Sequence, residues 1–146
     1  MATAPRFWRE NPSRYNLVGV KCNSCGRHFF PPRAICPVCH RKSVGKMERV
    51  KLKGVGKLFS ITEVHEGLEE LNMQRPYILA MVELEEGARV TAQVIDCDAC
   101  DLEIGMPVRA TLRKLSEEGP SGVIHYGYKF VPINHKPKAE GPGPGH

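Results

Sequence analysis

A chain of 146 residues with 41% hydrophobic side chains has apolar material for one ordinary domain or two small ones. No run approaches the ~18 consecutive apolar residues a transmembrane helix needs, which excludes a helical membrane protein. The formal charge of +5 conceals an asymmetry: through Lys57 thirteen Lys or Arg face only Glu10 and Glu48, a balance of +11, whereas from Leu58 onward eight basic residues face fourteen acidic ones, −6. A basic N-terminal module, able to attract phosphate or simply kept soluble by its charge, therefore precedes an acidic one.

The opening Met1-Ala2-Thr3-Ala4-Pro5-Arg6 has no apolar run resembling a secretory signal, which predicts a cytoplasmic, reducing location. Ala4-Pro5 and Asn11-Pro12 bracket a short helix, since proline is tolerated in a first turn and disfavours helix just before itself. At about two turns it cannot be stable alone and must dock its aromatic side, Phe7, Trp8 and Tyr15, on the chain's own body or on a partner. Residues 1–16 are read as this N-terminal helical segment.

Cys22-Asn23-Ser24-Cys25 and Cys36-Pro37-Val38-Cys39 follow, two Cys-x-x-Cys pairs with ten residues between them. Each pair puts two thiolates on one side of a tight turn, and two facing turns supply the tetrahedral sulfur set that zinc prefers. Gly26 allows a positive φ after the first pair, and Pro37 fixes its own φ inside the second. Neither pair has the βαβ setting of a thioredoxin-like redox motif. With Cys22, Cys25, Cys36 and Cys39 all supplied by the protein, no coordination position is left for water, so the expected Zn2+ is structural. His28 and His40 adjoin cysteines and are read as surface or packing residues. Residues 17–21 and 27–30 form short strand-like arms, Pro31-Pro32 carries the chain to the second pair, and the zinc ribbon is placed at 17–45.

From residue 46 to 133 the pattern is all-β. Strands are expected at 56–66, 77–84, 88–95, 107–115 and 123–133, from alternation or continuous apolar runs. Glu85-Glu86-Gly87-Ala88 reads as a tight hairpin and residues 117–122 as a longer one. Five strands with short connections fit a small antiparallel barrel, and the longer crossing at 96–106 falls where an OB-fold places its irregular connection. Residues 68–74 are expected to form a short helix or loop. The Lys-, Pro- and Gly-rich segment 134–146 reads as a flexible tail.

In this order, Tyr15-Asn16-Leu17-Val18-Gly19-Val20-Lys21-Cys22, Phe30-Pro31-Pro32-Arg33, Gly54-Val55-Gly56-Lys57-Leu58-Phe59-Ser60, Val94-Ile95-Asp96-Cys97-Asp98, Ile104-Gly105-Met106-Pro107-Val108 and Tyr126-Gly127-Tyr128-Lys129-Phe130 resemble the DUF35 family over residues 5–132. The resemblance implies a mainly β protein: a short N-terminal helix, a rubredoxin-like zinc ribbon and a C-terminal five-stranded OB-fold. It further implies a non-catalytic scaffold joining acetoacetyl-CoA thiolase to HMG-CoA synthase, which passes acetoacetyl-CoA between them in the mevalonate pathway, or an accessory subunit of another thiolase-like acyltransferase. Because coenzyme A carries a 3′-phosphate and a pyrophosphate, Arg27, Arg33, Arg41, Lys42 and Lys46 are candidate contacts to CoA or acyl-CoA at such a partner interface.

Beyond the zinc set only Cys97 and Cys100 remain, beside Asp96, Asp98 and Asp101. Nearby carboxylates raise a thiol pKa, so neither is expected to be a nucleophile. Their Cys-x-x-Cys spacing leaves a second metal or a disulfide as alternatives. Single-stranded nucleic acid is the rival partner, since zinc ribbons and OB-folds often bind it, but that use requires exposed aromatics interleaved with Lys and Arg, and the β half is acidic. A free-standing acyl-CoA carrier would use the same basic residues without a protein partner.

Overall fold

The computed structural model describes residues 16–66, 76–117 and 124–133, in which two β units share one apolar core. The expected N-terminal helix, the connection at 68–74 and the tail from residue 134 lie outside the described residues. Among the described residues no helix is long and apolar enough to cross a membrane.

The first unit is a three-stranded sheet of order β2-β1-β3, formed by β1 (Val18–Cys22), β2 (His28–Phe29) and β3 (Met47–Lys51). The Cys22 to Cys25 knuckle reverses the chain, with Gly26 at φ +74 completing the turn, so β2 returns antiparallel beside β1 with Val20 opposite Phe29. Strand β3 is a finding beyond the sequence expectation. Its Met-Glu-Arg-Val-Lys composition carries little strand signal, yet all five residues pair with β1, from Val18 opposite Lys51 to Cys22 opposite Met47. The ribbon sheet consequently runs on through Lys51, past the boundary drawn at 45.

The second unit is a closed barrel of order β4-β5-β6-β8-β7: β4 (Val55–Val64), β5 (Tyr77–Leu84), β6 (Arg89–Val94), β7 (Pro107–Glu117) and β8 (Ile124–Pro132). These are the five expected strands, β5 with the expected bounds and the other four with ends shifted by no more than two residues. The barrel is antiparallel except where it closes between β6 and β8, which run parallel, paired at Val94 and Phe130. The crossing after β6, with a 3-10 turn at Ala99–Asp101, carries the chain around the barrel so that β7 pairs with β4; the β7–β8 hairpin then returns β8 alongside β6 in the same direction.

Alternation sets the core. Ile78, Ala80, Val82 and Leu84 of β5 and Val90, Ala92 and Val94 of β6 point inward and meet Leu58, Val108 and Phe130, all buried. Each fully buried Leu or Phe of this kind stabilises the fold by about 1.5–3 kcal/mol. Leu17 and Leu52, which flank the ribbon, belong to the same buried cluster. Phe30 of the ribbon packs edge-on against Tyr128 of β8 (5.5 Å, 80°), and Tyr128 packs edge-on against Phe130 (6.2 Å, 78°). On the other side the β5–β6 turn is tied to the strand entering the barrel. The Lys53 amide donates to Glu86 Oε1 at 2.8 Å, Lys53 Nζ lies 3.4 Å from Glu85 Oε2, and the Glu85 amide donates to the Val55 carbonyl at 3.0 Å.

Candidate metal centre and the adjoining groove

The two knuckles bring one sulfur from each of Cys22, Cys25, Cys36 and Cys39 within 4.8 Å of one another. Cys25 Sγ and Cys36 Sγ stand 3.7 Å apart. Sulfurs bound at ~2.3 Å in a tetrahedron lie about 3.8 Å from each other, so this spacing fits a zinc tetrathiolate. Cys22 and Cys36 are buried, Cys39 is half-buried and Cys25 is exposed, which puts the centre at the surface end of the ribbon.

Backbone hydrogen bonds hold each knuckle. The Gly26 amide donates to the Cys22 carbonyl (2.7 Å) and the Cys22 amide to the Arg27 carbonyl (2.9 Å); the His40 amide donates to the Cys36 carbonyl (2.9 Å). Ser43, fully buried in the 3-10 turn His40–Ser43, ties off the second knuckle: its Oγ accepts the Cys36 amide at 2.9 Å and donates to the His40 carbonyl at 2.6 Å. Sequence reading missed this serine, for the only signal it gives is a small polar residue in a basic stretch. His28 and His40 are not part of this four-sulfur cluster.

The electrostatics of the thiols favour a bound cation. Backbone hydrogen bonding from Cys25 lowers Cys22 to about 7, while burial and the neighbouring sulfurs push Cys39 up to about 12. Four adjacent thiolates are stable together only when a positive ion compensates them, and a zinc ion does so with no residue displaced.

The candidate CoA contacts separate into two places. Arg27 and Arg33 line a groove of about 620 Å³ where the ribbon meets the β5–β6 turn; its walls also include Phe29, Phe30, Glu86 and Arg89. Arg41, Lys42 and Lys46 do not line it and lie beside the knuckles, where Ser24 Oγ donates to the Lys42 carbonyl and the Asn23 amide to the Lys46 carbonyl. Around that second knuckle Ile35, Val38 and Val44 are exposed at 52%, 49% and 62%, an apolar tip on a basic module. Arg89 was not among the sequence candidates, because it lies in the acidic half and only the closed fold brings it opposite β2.

Cys97 and Cys100 do not pair. Cys97 is half-buried against the barrel core, whereas exposed Cys100 lies near Asp98 and Asp101, a group that does not include Cys97. Burial, followed by the charges of Asp96, Asp98 and Asp101, pushes Cys97 up to about 11, leaving it protonated and a poor nucleophile at neutral pH. The aromatics of β8 do not form an exposed stacking platform: Phe130 is fully buried, Tyr128 is engaged by Phe30, and Tyr126 is exposed at 42%.

Comparison with known proteins places both units. The ChsH2 rubredoxin-like zinc ribbon domain matches residues 9–45, and the ChsH2 C-terminal OB-fold domain matches residues 49–113. A DUF35 domain-containing scaffold protein from Methanocaldococcus jannaschii is 48% identical over 89% of this chain and 91% of its own length; its counterpart from Methanothermobacter thermautotrophicus is 50% identical over 90% and 98%. The benzoylsuccinyl-CoA thiolase subunit BbsA of Geobacter metallireducens is 31% identical over 79% of this chain and 75% of its own. Among solved structures, a chain of the Ltp2-ChsH2(DUF35) aldolase superposes with a TM-score of 0.66 at 27% identity, covering 90% of this chain and 96% of that one.

Proposed function

The chain belongs to the DUF35 family, and on that premise we propose that it is a non-catalytic scaffold subunit joining acetoacetyl-CoA thiolase to HMG-CoA synthase. In this role it holds the two enzymes in one cytoplasmic assembly, so that acetoacetyl-CoA released by the first is taken up by the second at the start of the mevalonate pathway. The observation that carries this reading is the near full-length identity to two archaeal proteins named as scaffolds.

The site chemistry supports it. A closed tetrathiolate leaves the metal no open position, and the high pKa of Cys97 removes the best remaining thiol from nucleophilic work. The zinc acts as a clasp: it fixes the two knuckles so that Ile35, Val38 and Val44, with Arg41 and Lys42 beside them, are presented as a rigid apolar and basic tip to an enzyme surface. Arg41, Lys42 and Lys46 beside the knuckles, and Arg27 and Arg33 in the groove where the ribbon meets the barrel, are the residues through which the scaffold meets CoA phosphates.

The test is co-expression with both enzymes followed by size-exclusion chromatography. A stable ternary complex that loses an enzyme when Cys36→Ser, Cys39→Ser or Trp8→Ala is introduced supports the proposal. A chain that stays monomeric beside both enzymes overturns it. A second reading, accessory subunit of a different thiolase-like acyltransferase, is favoured by the similarity to a thiolase subunit; it predicts a complex with thiolase that excludes the synthase.

A further inference from the structure

One strand of the barrel departs from the polar outer pattern that its neighbours keep. Where β6 and β7 turn away from the core they carry Arg89, Thr91 and Gln93, and Arg109, Thr111 and Arg113, as an antiparallel strand with one wet face should. β5 does not. Its outward positions Tyr77, Leu79 and Met81 are aromatic or aliphatic and half-buried, so the strand has the composition of one covered on both sides.

Two exposed side chains extend this stripe. A register shift between Leu58 and Ser60 of β4 inserts Phe59 beside the partner of Met81 and leaves its ring 45% exposed. The Arg89 guanidinium lies 4.0 Å over that ring, held there by the 3.0 Å bond from its Nε to Glu83 Oε2. Aromatic rings and guanidiniums are the groups that most often anchor protein interfaces, and a pair already fixed loses little freedom on binding. Ile104, at 74%, is the most exposed large hydrophobic residue among the described residues. The Gly105 amide next to it donates to the Leu58 carbonyl at 2.7 Å, which sets Ile104 alongside Phe59. The crossing that carries it, residues 96–106, holds Asp96, Asp98, Asp101 and Glu103 and no Lys or Arg.

We propose that this face, centred on Phe59, Leu79, Met81 and Ile104, docks one of the two enzymes through an apolar contact bordered by Lys and Arg, while the ribbon tip takes the other. The assignment rests on the scaffold reading, which requires two separate surfaces on one small chain. Their charges are opposite: Arg41 and Lys42 adjoin the apolar tip, whereas acids adjoin Ile104. Like charges facing each other across a contact suppress the wrong partner, so each enzyme is sorted to its own surface and the second binds without displacing the first. The tip of a second copy is also apolar and basic, but seating it here would occupy both surfaces and leave none for an enzyme.

Biolayer interferometry on the zinc-loaded full chain tests this, with acetoacetyl-CoA thiolase and HMG-CoA synthase applied singly and then in sequence. The parent is expected to bind each enzyme alone, and the second to add to the first. Phe59→Ala and Ile104→Glu each raise the Kd for one enzyme about tenfold or more and leave the other within about twofold; Val38→Glu and Val44→Glu at the tip do the converse. Glu103→Lys slows association of the enzyme held by the face at low salt and not that of the other. Zinc content, circular dichroism and melting temperature verify that each variant is folded.

Folded face variants that bind both enzymes like the parent overturn the proposal and leave the scaffold reading intact; a lowered melting temperature in those variants would show that the chain itself covers the face. Loss of both enzymes from one folded face variant also overturns it, because the surface would then be shared. Self-association of the parent in light scattering, abolished by face and tip variants alike, gives the face to a second copy and overturns it too. A parent that binds neither enzyme refutes the scaffold reading, and this docking face with it.

Discussion

Cys39 and Ser43 show how single residues set the properties of the metal centre. With the free thiol of Cys39 up at about 12 and that of Cys22 at about 7, metal binding at neutral pH must displace protons from the sulfurs. The sign follows: lowering the pH favours the protonated, metal-free form, and zinc affinity falls about tenfold per pH unit for each proton displaced. Competition with a chromophoric chelator between about pH 8 and pH 6 measures this slope, which must be at least one. Ser43→Ala leaves the Cys36 amide and the His40 carbonyl without their buried partner. The expected cost is about 1–3 kcal/mol in thermal or denaturant unfolding, together with faster zinc release to the chelator. A variant that unfolds and releases zinc like the parent would show that the serine does not hold the knuckle.

Among the elements, β1 and β8 determine how the two units are joined. β1 is the central strand of the ribbon sheet, and its last residue, Cys22, is one of the four clustered cysteines, so sheet and candidate metal centre form together. Gly56 opens the same logic in the barrel: a Cβ there would come 2.4 Å from the Glu83 carbonyl oxygen, so β4 approaches β5 this closely only with glycine. β8 contributes Phe130 to the core and Tyr128 to the contact with Phe30. A double-mutant cycle on Phe30→Leu and Tyr128→Leu should return a coupling of about 0.5–1.5 kcal/mol from chemical denaturation. Strict additivity would mean that the edge-on pair does not couple the units.

At the scale of the whole molecule, the basic ribbon and the acidic barrel share one core through Leu17 and Leu52. Units joined in this way unfold together. Stripping the zinc should therefore lower the temperature of a single cooperative transition, and calorimetry that instead resolved a melted ribbon beside an unchanged barrel would refute the shared core. The charge division has a consequence for association as well. An anionic partner surface or ligand is steered to the ribbon end and repelled from the barrel, so the on-rate of complex formation should drop as salt shortens the Debye length from about 10 Å at 0.1 M.

Sequence alone determined what depends on local chemistry. Four cysteines at fixed spacing specify a tetrathiolate, the nearly continuous apolar run Tyr77–Leu84 specifies a strand, and carboxylates next to Cys97 disfavour its thiolate, although burial, which the fold decides, is the larger cause of its raised pKa. Only the tertiary structure decided what depends on residues distant in the chain. The charged segment 47–51 becomes a strand because β1 offers it a partner, and the parallel pairing of β6 with β8 follows from barrel closure. Arg89 faces Arg27 and Arg33 because the β5–β6 turn is clamped against the ribbon by Lys53 and Glu86. Long-range hydrogen bonds and a shared apolar core create these neighbours, and no pattern within a short window of sequence records them.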